Sequence, residues 1–141
     1  MYLLDTNVVS ELRPGHPRPA AAVVAWSKTV QVMDLYLSAI SILEIERGVL
    51  QLEWRAPQDA VRLRAWFEAL WEQFAGHVVP FSGAAARRCA TMHVPDPAPE
   101  RDAMIAATAL DHGFVLVTRN VRDFSSGGVR LLNPWDFSSK G

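Results

Sequence analysis

At 141 residues the chain fits one domain and is long enough to bury a core without disulfide support. Half of its residues are hydrophobic, which excludes a disordered chain, and its single cysteine, Cys89, excludes an internal disulfide and points to a reducing compartment. A formal net charge of −1 argues against a protein that coats nucleic acid, and no apolar run approaches the ~20 residues of a membrane span.

In chain order, Tyr2 to Leu4 is a short apolar run that reads as a buried strand ending at Asp5-Thr6-Asn7. Val8 to Leu12 predicts a brief helix stopped by Pro14-Gly15, and Ala20 to Lys28 a second helix. Leu35 to Ser38 is the next strand. Ser41 opens a helix to about Glu53, with Ile42, Ile45, Val49 and Leu52 on one face. Pro57 suits the first turn of the following helix. There Leu63, Trp66, Phe67, Leu70, Trp71 and Phe74 form a broad apolar stripe ending near Gly76.

His77 to Phe81 reads as a short strand, and Ser82 caps an alanine-rich helix to about Met92. After the proline-rich loop Pro95 to Pro99 comes a helix from Asp102 to His112, closed by Gly113. Its alanines allow it to lie close on a sheet. Phe114 to Val117 is a fully apolar strand, Thr118 to Asp123 a turn, and Val129 to Leu132 a last strand stopped by Asn133-Pro134. Strands alternating with helices predict an α/β fold: one domain over residues 1–141, with a mostly parallel sheet of four to five strands flanked by helices. The N-terminus has no basic leader, so the expected protein is soluble and cytoplasmic.

In an open parallel sheet, ligands bind beyond the carboxyl ends of the strands. Four acids fall there. Asp5 closes the first strand, and Glu44 lies early in the helix after the second. Asp102 begins the helix that feeds the main apolar strand, and Asp123 sits in the turn after that strand. Two like charges about 4 Å apart repel by about 4 kcal/mol at an effective dielectric of 20. No lysine or histidine is placed by sequence to neutralise such a cluster. Mg²⁺ or Mn²⁺ would, because oxygen donors suit a hard cation that keeps waters for a substrate phosphate. One or two such ions would activate water for phosphodiester hydrolysis.

Each acid also has a plainer role. Asp5 can cap the short helix after it. Ser41 and Glu44 have the spacing of a capping box. Asp102 suits the positive end of a helix, and Asp123 suits a turn. Thr6, Thr118 and Asn120 are candidate supports that orient a carboxylate or a metal-bound water. Asp96 reads as a turn residue, and His16, His77, His93 and His112 lack metal-ligand spacing. Twelve arginines stand against two lysines, Lys28 and Lys140. Arginine binds phosphate bidentately, although a GC-rich genome produces the same bias.

An aspartyl-nucleophile phosphatase would fit Asp5, but position 7 is Asn7, so the Asp-x-Asp pair is absent. Neither lysine follows a late strand, as a receiver domain requires. A non-catalytic RNA-binding or regulatory module is the remaining rival.

Four blocks carry a family resemblance. They are Leu3 to Leu12, Tyr36 to Ile45 with Gly48, Asp102 to Ala109, and Val117 to Asn120 with Asp123-Phe124 and Leu132 to Trp135. Together they resemble PIN-domain ribonucleases, and more narrowly VapC/FitB-type toxins of bacterial toxin–antitoxin pairs. The resemblance implies a three-layer PIN-like fold and a Mg²⁺- or Mn²⁺-dependent endoribonuclease. It implies silencing by a VapB-like, DNA-binding antitoxin, with assembly into a homodimer and a hetero-oligomer. Asp5, Glu44, Asp102 and Asp123 fall on the family's acidic quartet. The helices from Ser41 to Ala75 fall on its antitoxin-binding clip, which makes Trp54, Trp66, Phe67 and Trp71 candidate partner contacts; ordinary core packing is the alternative. The loop from Pro95 to Arg101 is richer in proline than the family pattern.

Overall fold

The computed structural model describes residues 1–124 and 127–138; Lys140 lies outside the described residues. Its centre is a parallel sheet of five strands: β1 (Tyr2–Leu4), β2 (Leu35–Ser38), β3 (Val78–Val79), β4 (Val115–Val117) and β5 (Leu131–Leu132). The spatial order is β3-β2-β1-β4-β5. The chain winds outward from β1 through β2 to β3, then returns to lay β4 on the other side of β1. The carboxyl ends of β1 and β4 therefore flank the point where the winding reverses, the usual ligand crevice of such sheets.

Period-two alternation divides the sheet's side chains between two cores. Leu4 is in register with Leu37 and Val117. This row packs with helices α1 (Thr6–Glu11), α2 (Ala21–Ser27), α3 (Ala39–Arg55) and α4 (Pro57–Gln73). Leu3 is in register with Tyr36 and Leu116, and this row meets α6 (Glu100–His112) and α7 (Val121–Phe124). Helix α5 (Gly83–Thr91) packs on α6 through small residues, with Ala85 and Cys89 against Ala103 and Ala107. The resulting order is helices, sheet, helices, with both faces of the sheet covered. That is why the strands are continuous apolar runs.

Several boundaries differ from the sequence reading. Helix α3 begins at Ala39, because Ser38 already caps it by accepting the Ser41 amide at 3.0 Å. The capping box expected at Ser41 and Glu44 therefore does not form, and Ser41 is buried inside the helix. The strand expected over His77 to Phe81 shrinks to Val78–Val79, and that over Val129 to Leu132 to Leu131–Leu132. Both are edge strands, each paired on one side only. Helix α6 starts two residues before Asp102. Asp123 sits in the short helix α7 rather than an open turn. Gly113 ends α6 at φ +68°, as a left-handed glycine cap.

The aromatic stripe of α4 splits. Phe67, Leu70 and Phe74 are buried in the core, and Trp66 is partly buried against it. Trp71 is half exposed, and Trp54, on α3, is 92% exposed. Of the expected partner contacts, Phe67 is thus a core residue at 4% exposure, because its register on α4 turns it toward the sheet. Arg64 ties α4 to α3 by bonding Glu46 and Glu53, each at 2.7 Å. Among the described residues, no helix is long and apolar enough to cross a membrane.

Candidate functional site

Asp5 is the anchor of the crevice. Strand pairing continues through it, since its amide donates to the Val117 carbonyl at 2.9 Å. Its extended backbone then turns the chain into α1, so Asp5 is also the N-cap anticipated as its plainer role. Its side chain is 4% exposed. One carboxylate oxygen, Oδ1, accepts the Thr6 amide at 2.8 Å, and Oδ2 accepts the Thr118 hydroxyl at 2.7 Å. Thr118 follows β4 directly and is fully buried. Capping and placement in the crevice are thus two consequences of one position at the end of β1.

Burial pushes the Asp5 carboxyl above its ordinary range. The bonds from Thr118 and Thr6 act against that shift, and the negative charge of Glu44 adds to it. Asp102, third residue of α6, is also pushed upward. Burial is the main cause, followed by the charges of Asp5, Asp123 and Glu44 in that order. The electrostatics therefore tie all four predicted acids to one region. Glu44 and Asp102 are half-buried, and Asp123 is exposed.

Glu44 is held by a relay that the sequence reading did not foresee beyond Thr6. Thr6 Oγ1 lies 2.9 Å from Glu44 Oε1 and 2.9 Å from Ser41 Oγ. One hydroxyl carries one proton, so donation to the carboxylate makes Ser41 the donor to Thr6. Ser38 Oγ stands 3.3 Å behind Ser41. Three hydroxyls thus lead from the end of β2 to Glu44. The Ser38-x-x-Ser41 spacing was the available signal, since it puts both hydroxyls in the first turn of α3. Asn120 supports Thr118 through its backbone, whose N–H donates to Thr118 Oγ1 at 3.1 Å.

The other oxygen of Glu44 faces a cation. Arg101 Nη1 stands 3.5 Å from Glu44 Oε2. The absence of a nearby lysine or histidine in the sequence had left the four acids without a counter-charge, and Arg101 supplies one.

Among the described residues, no three His, Cys, Asp or Glu side chains close to metal-holding distance. The donor set nevertheless fits a hard divalent cation in chemistry: it is all carboxylate oxygen, and the charge of Glu44 raises the proton affinity of Asp5, as the charges of Asp5, Asp123 and Glu44 raise that of Asp102. Asp5 is fixed by two hydrogen bonds, while Glu44, Asp102 and Asp123 are partly or fully solvent-facing. A cavity of about 630 Å³ opens between α3 and the start of α6, lined by Glu44, Arg101 and Asp102.

Comparison with known proteins gives a concordant result. A PIN-domain family model matches residues 2–127. The chain is 35% identical to the VapC ribonuclease Y4jK of Sinorhizobium fredii, covering 96% of this chain and 99% of that protein. It is 36% identical to Toxin FitB of Neisseria gonorrhoeae over the same shares of the two chains. The solved structure of FitAB bound to an IR36 DNA fragment contains a chain that aligns along its whole length with the whole of this one. The TM-score is 0.86 at 32% identity.

Proposed function

The chain belongs to the PIN-domain family, and on that premise we propose that it is a Mg²⁺- or Mn²⁺-dependent endoribonuclease, the toxin of a toxin–antitoxin pair. The observation that carries this reading is the buried Asp5 carboxylate where the sheet's winding reverses, with Glu44, Asp102 and Asp123 close enough to act on the site's charge. Relatives of near-equal length named as a ribonuclease and as a toxin support it.

Asp5, Asp102, Glu44 and Asp123 would hold the ion. When bound, it supplies an activated water and charge stabilisation for phosphodiester hydrolysis. The chain's own residues do the rest. Thr118 and the Thr6 amide fix both oxygens of Asp5, so its carboxylate need not reorganise during the reaction. The Ser38, Ser41 and Thr6 hydroxyls orient one oxygen of Glu44. Thr118 thus acts as a positioning residue, with the Asn120 amide behind it.

The test is RNA cleavage with Mg²⁺ or Mn²⁺ against EDTA, for the wild-type chain and for Asp5→Asn. Cleavage is expected only for wild type with metal, with the variant still folded. Normal cleavage by Asp5→Asn overturns the assignment. The open arrangement of the carboxylates favours one rival, a non-catalytic RNA-binding module; RNA binding without metal-dependent cleavage would select it.

The partner is a VapB-like, DNA-binding antitoxin, by analogy with the FitAB assembly seen on DNA. The protein acts in the cytoplasm and pairs with a second copy as well as with the antitoxin. The exposed Trp54 and half-exposed Trp71 remain candidates for the antitoxin contact, with partly buried Trp66 at its edge.

A further inference from the structure

A nuclease crevice walled by four carboxylates repels the polyanion it must bind. Two cavities flank Asp102, one toward Glu44 and one toward Asp123. Of the described residues that line them, Arg101 is the only cation. Arg119 stands off at the Trp135 ring, 5.1 Å from its centroid, and Arg64 is bound to carboxylates between α3 and α4.

Arg101 is 46% exposed, and it meets Glu44 at 3.5 Å through one nitrogen. An exposed, single-contact pair of that length is weak. A phosphate offers the guanidinium two oxygens in matched geometry, which makes a stronger, charge-assisted contact. Arg101 also directly precedes Asp102, in the first turn of α6. A phosphate held by Arg101 therefore lies beside the acidic cluster.

We propose that Arg101 is the crevice's phosphate-contacting residue, resting on Glu44 in the free protein and exchanging that carboxylate for an RNA phosphate. The exchange frees the second oxygen of Glu44. Until it occurs, Arg101 competes with a divalent cation for Glu44. This inference rests on the nuclease reading above.

The test compares wild type, Arg101→Ala and Arg101→Lys by two equilibrium measurements. Fluorescence anisotropy follows a single-stranded RNA oligonucleotide in EDTA over a range of salt. Loss of one charge-assisted contact predicts about tenfold weaker binding by Arg101→Ala. The slope of log K against log salt should be shallower by about 0.7, as for one phosphate contact on a single strand. Arg101→Lys should restore the slope but only part of the affinity, because it keeps the charge and loses the planar fork. Calorimetry with Mn²⁺ alone should show Arg101→Ala binding the ion several-fold more tightly than wild type. Matching thermal melts establish that the variants are folded.

Unchanged RNA affinity and slope in Arg101→Ala, with wild type binding normally, overturns the phosphate contact alone. Unchanged or weaker Mn²⁺ binding overturns the competition for Glu44. A wild-type chain that binds no RNA in EDTA overturns the role of Arg101; one that also cleaves no RNA with Mg²⁺ or Mn²⁺ overturns the nuclease reading.

Discussion

Replacing Thr118 by valine keeps the shape of a fully buried side chain and deletes the hydroxyl that donates to Asp5 Oδ2 at 2.7 Å. With Asp5 ionised, the lost bond is charge-assisted and contributes about 1.5–3 kcal/mol; with Asp5 protonated it is neutral, about 0.5–1.5 kcal/mol. Burial sets the Asp5 carboxyl above its ordinary 3.8 in the folded state. Between that value and the raised folded one, the native state binds more protons than the unfolded chain, so this group's contribution falls as pH rises. Above the folded value the native state carries the whole cost of a buried charge. Thr118 is the largest influence holding that pKa down. Its loss raises the pKa further and costs most at neutral pH. A difference of about 2 kcal/mol lowers Tm by roughly 8 °C in a chain of this size. Thermal melts of wild type, Thr118→Val and Thr118→Ser near pH 7 and about pH 3, below the ordinary 3.8, measure it. The expected Thr118→Val deficit is about 8 °C near neutral pH and roughly half that in acid, with Thr118→Ser close to wild type. Equal deficits at both pH values would refute the claim that Thr118 stabilises an ionised Asp5.

Divalent metal should stabilise the folded chain through the same carboxylates. At a hundred times its Kd, Mg²⁺ or Mn²⁺ adds about 2.7 kcal/mol, seen as a rise in Tm that EDTA reverses. Asp102→Asn should lose most of that rise, and a variant that keeps it removes Asp102 from the ligand set. The split of the aromatic stripe gives a paired prediction. Phe67→Ala should cost about 3–5 kcal/mol in urea unfolding, because it empties a core position. Trp54→Ala should stay within about 0.5 kcal/mol of wild type and instead weaken antitoxin co-purification. Intact antitoxin binding by Trp54→Ala would move the partner surface elsewhere.

Legibility in the sequence followed the range of each interaction. Strands β1 and β2 were readable to the residue, because a strand covered on both faces must be a continuous apolar run. The edge strands β3 and β5 were overread. Apolar composition there reports burial under neighbouring chain: β3 stops level with the end of β2 at Ser38, and β5 pairs only across Leu116 and Val117, although Val129 before it is buried. Asp5, Glu44, Asp102 and Asp123 could be placed near strand ends from local pattern alone. What held them could not. The bond from Thr118 to Asp5 spans 113 residues, and the contact from Thr6 to Glu44 spans 38. The pair of Arg101 with Glu44 crosses from α6 to α3, and nothing in the local sequence of either residue announces it. Ser41 shows how a local motif misleads: its spacing to Glu44 is that of a capping box, yet Ser38 had already taken the cap. Glu44 was thereby left to the hydroxyl relay.

The plainer reading of Asp5 and the chemical one turn out not to compete. Any residue at the end of β1 continues the pairing with β4, because its amide meets the Val117 carbonyl. Such a residue must also start α1, so an N-capping side chain is favoured there. Serine or asparagine would cap without burying a charge. Aspartate brings a buried carboxylate and the upward shift that goes with it. Thr118 offsets only part of that cost. A cap alone does not require the charge, nor a buried threonine reaching back from β4 to meet it. The same strand pairing that builds the centre of the sheet brings those two groups together. A substitution that weakens the pairing of β1 with β4 should therefore damage stability and the acidic site together, whereas Asp5→Asn should separate them.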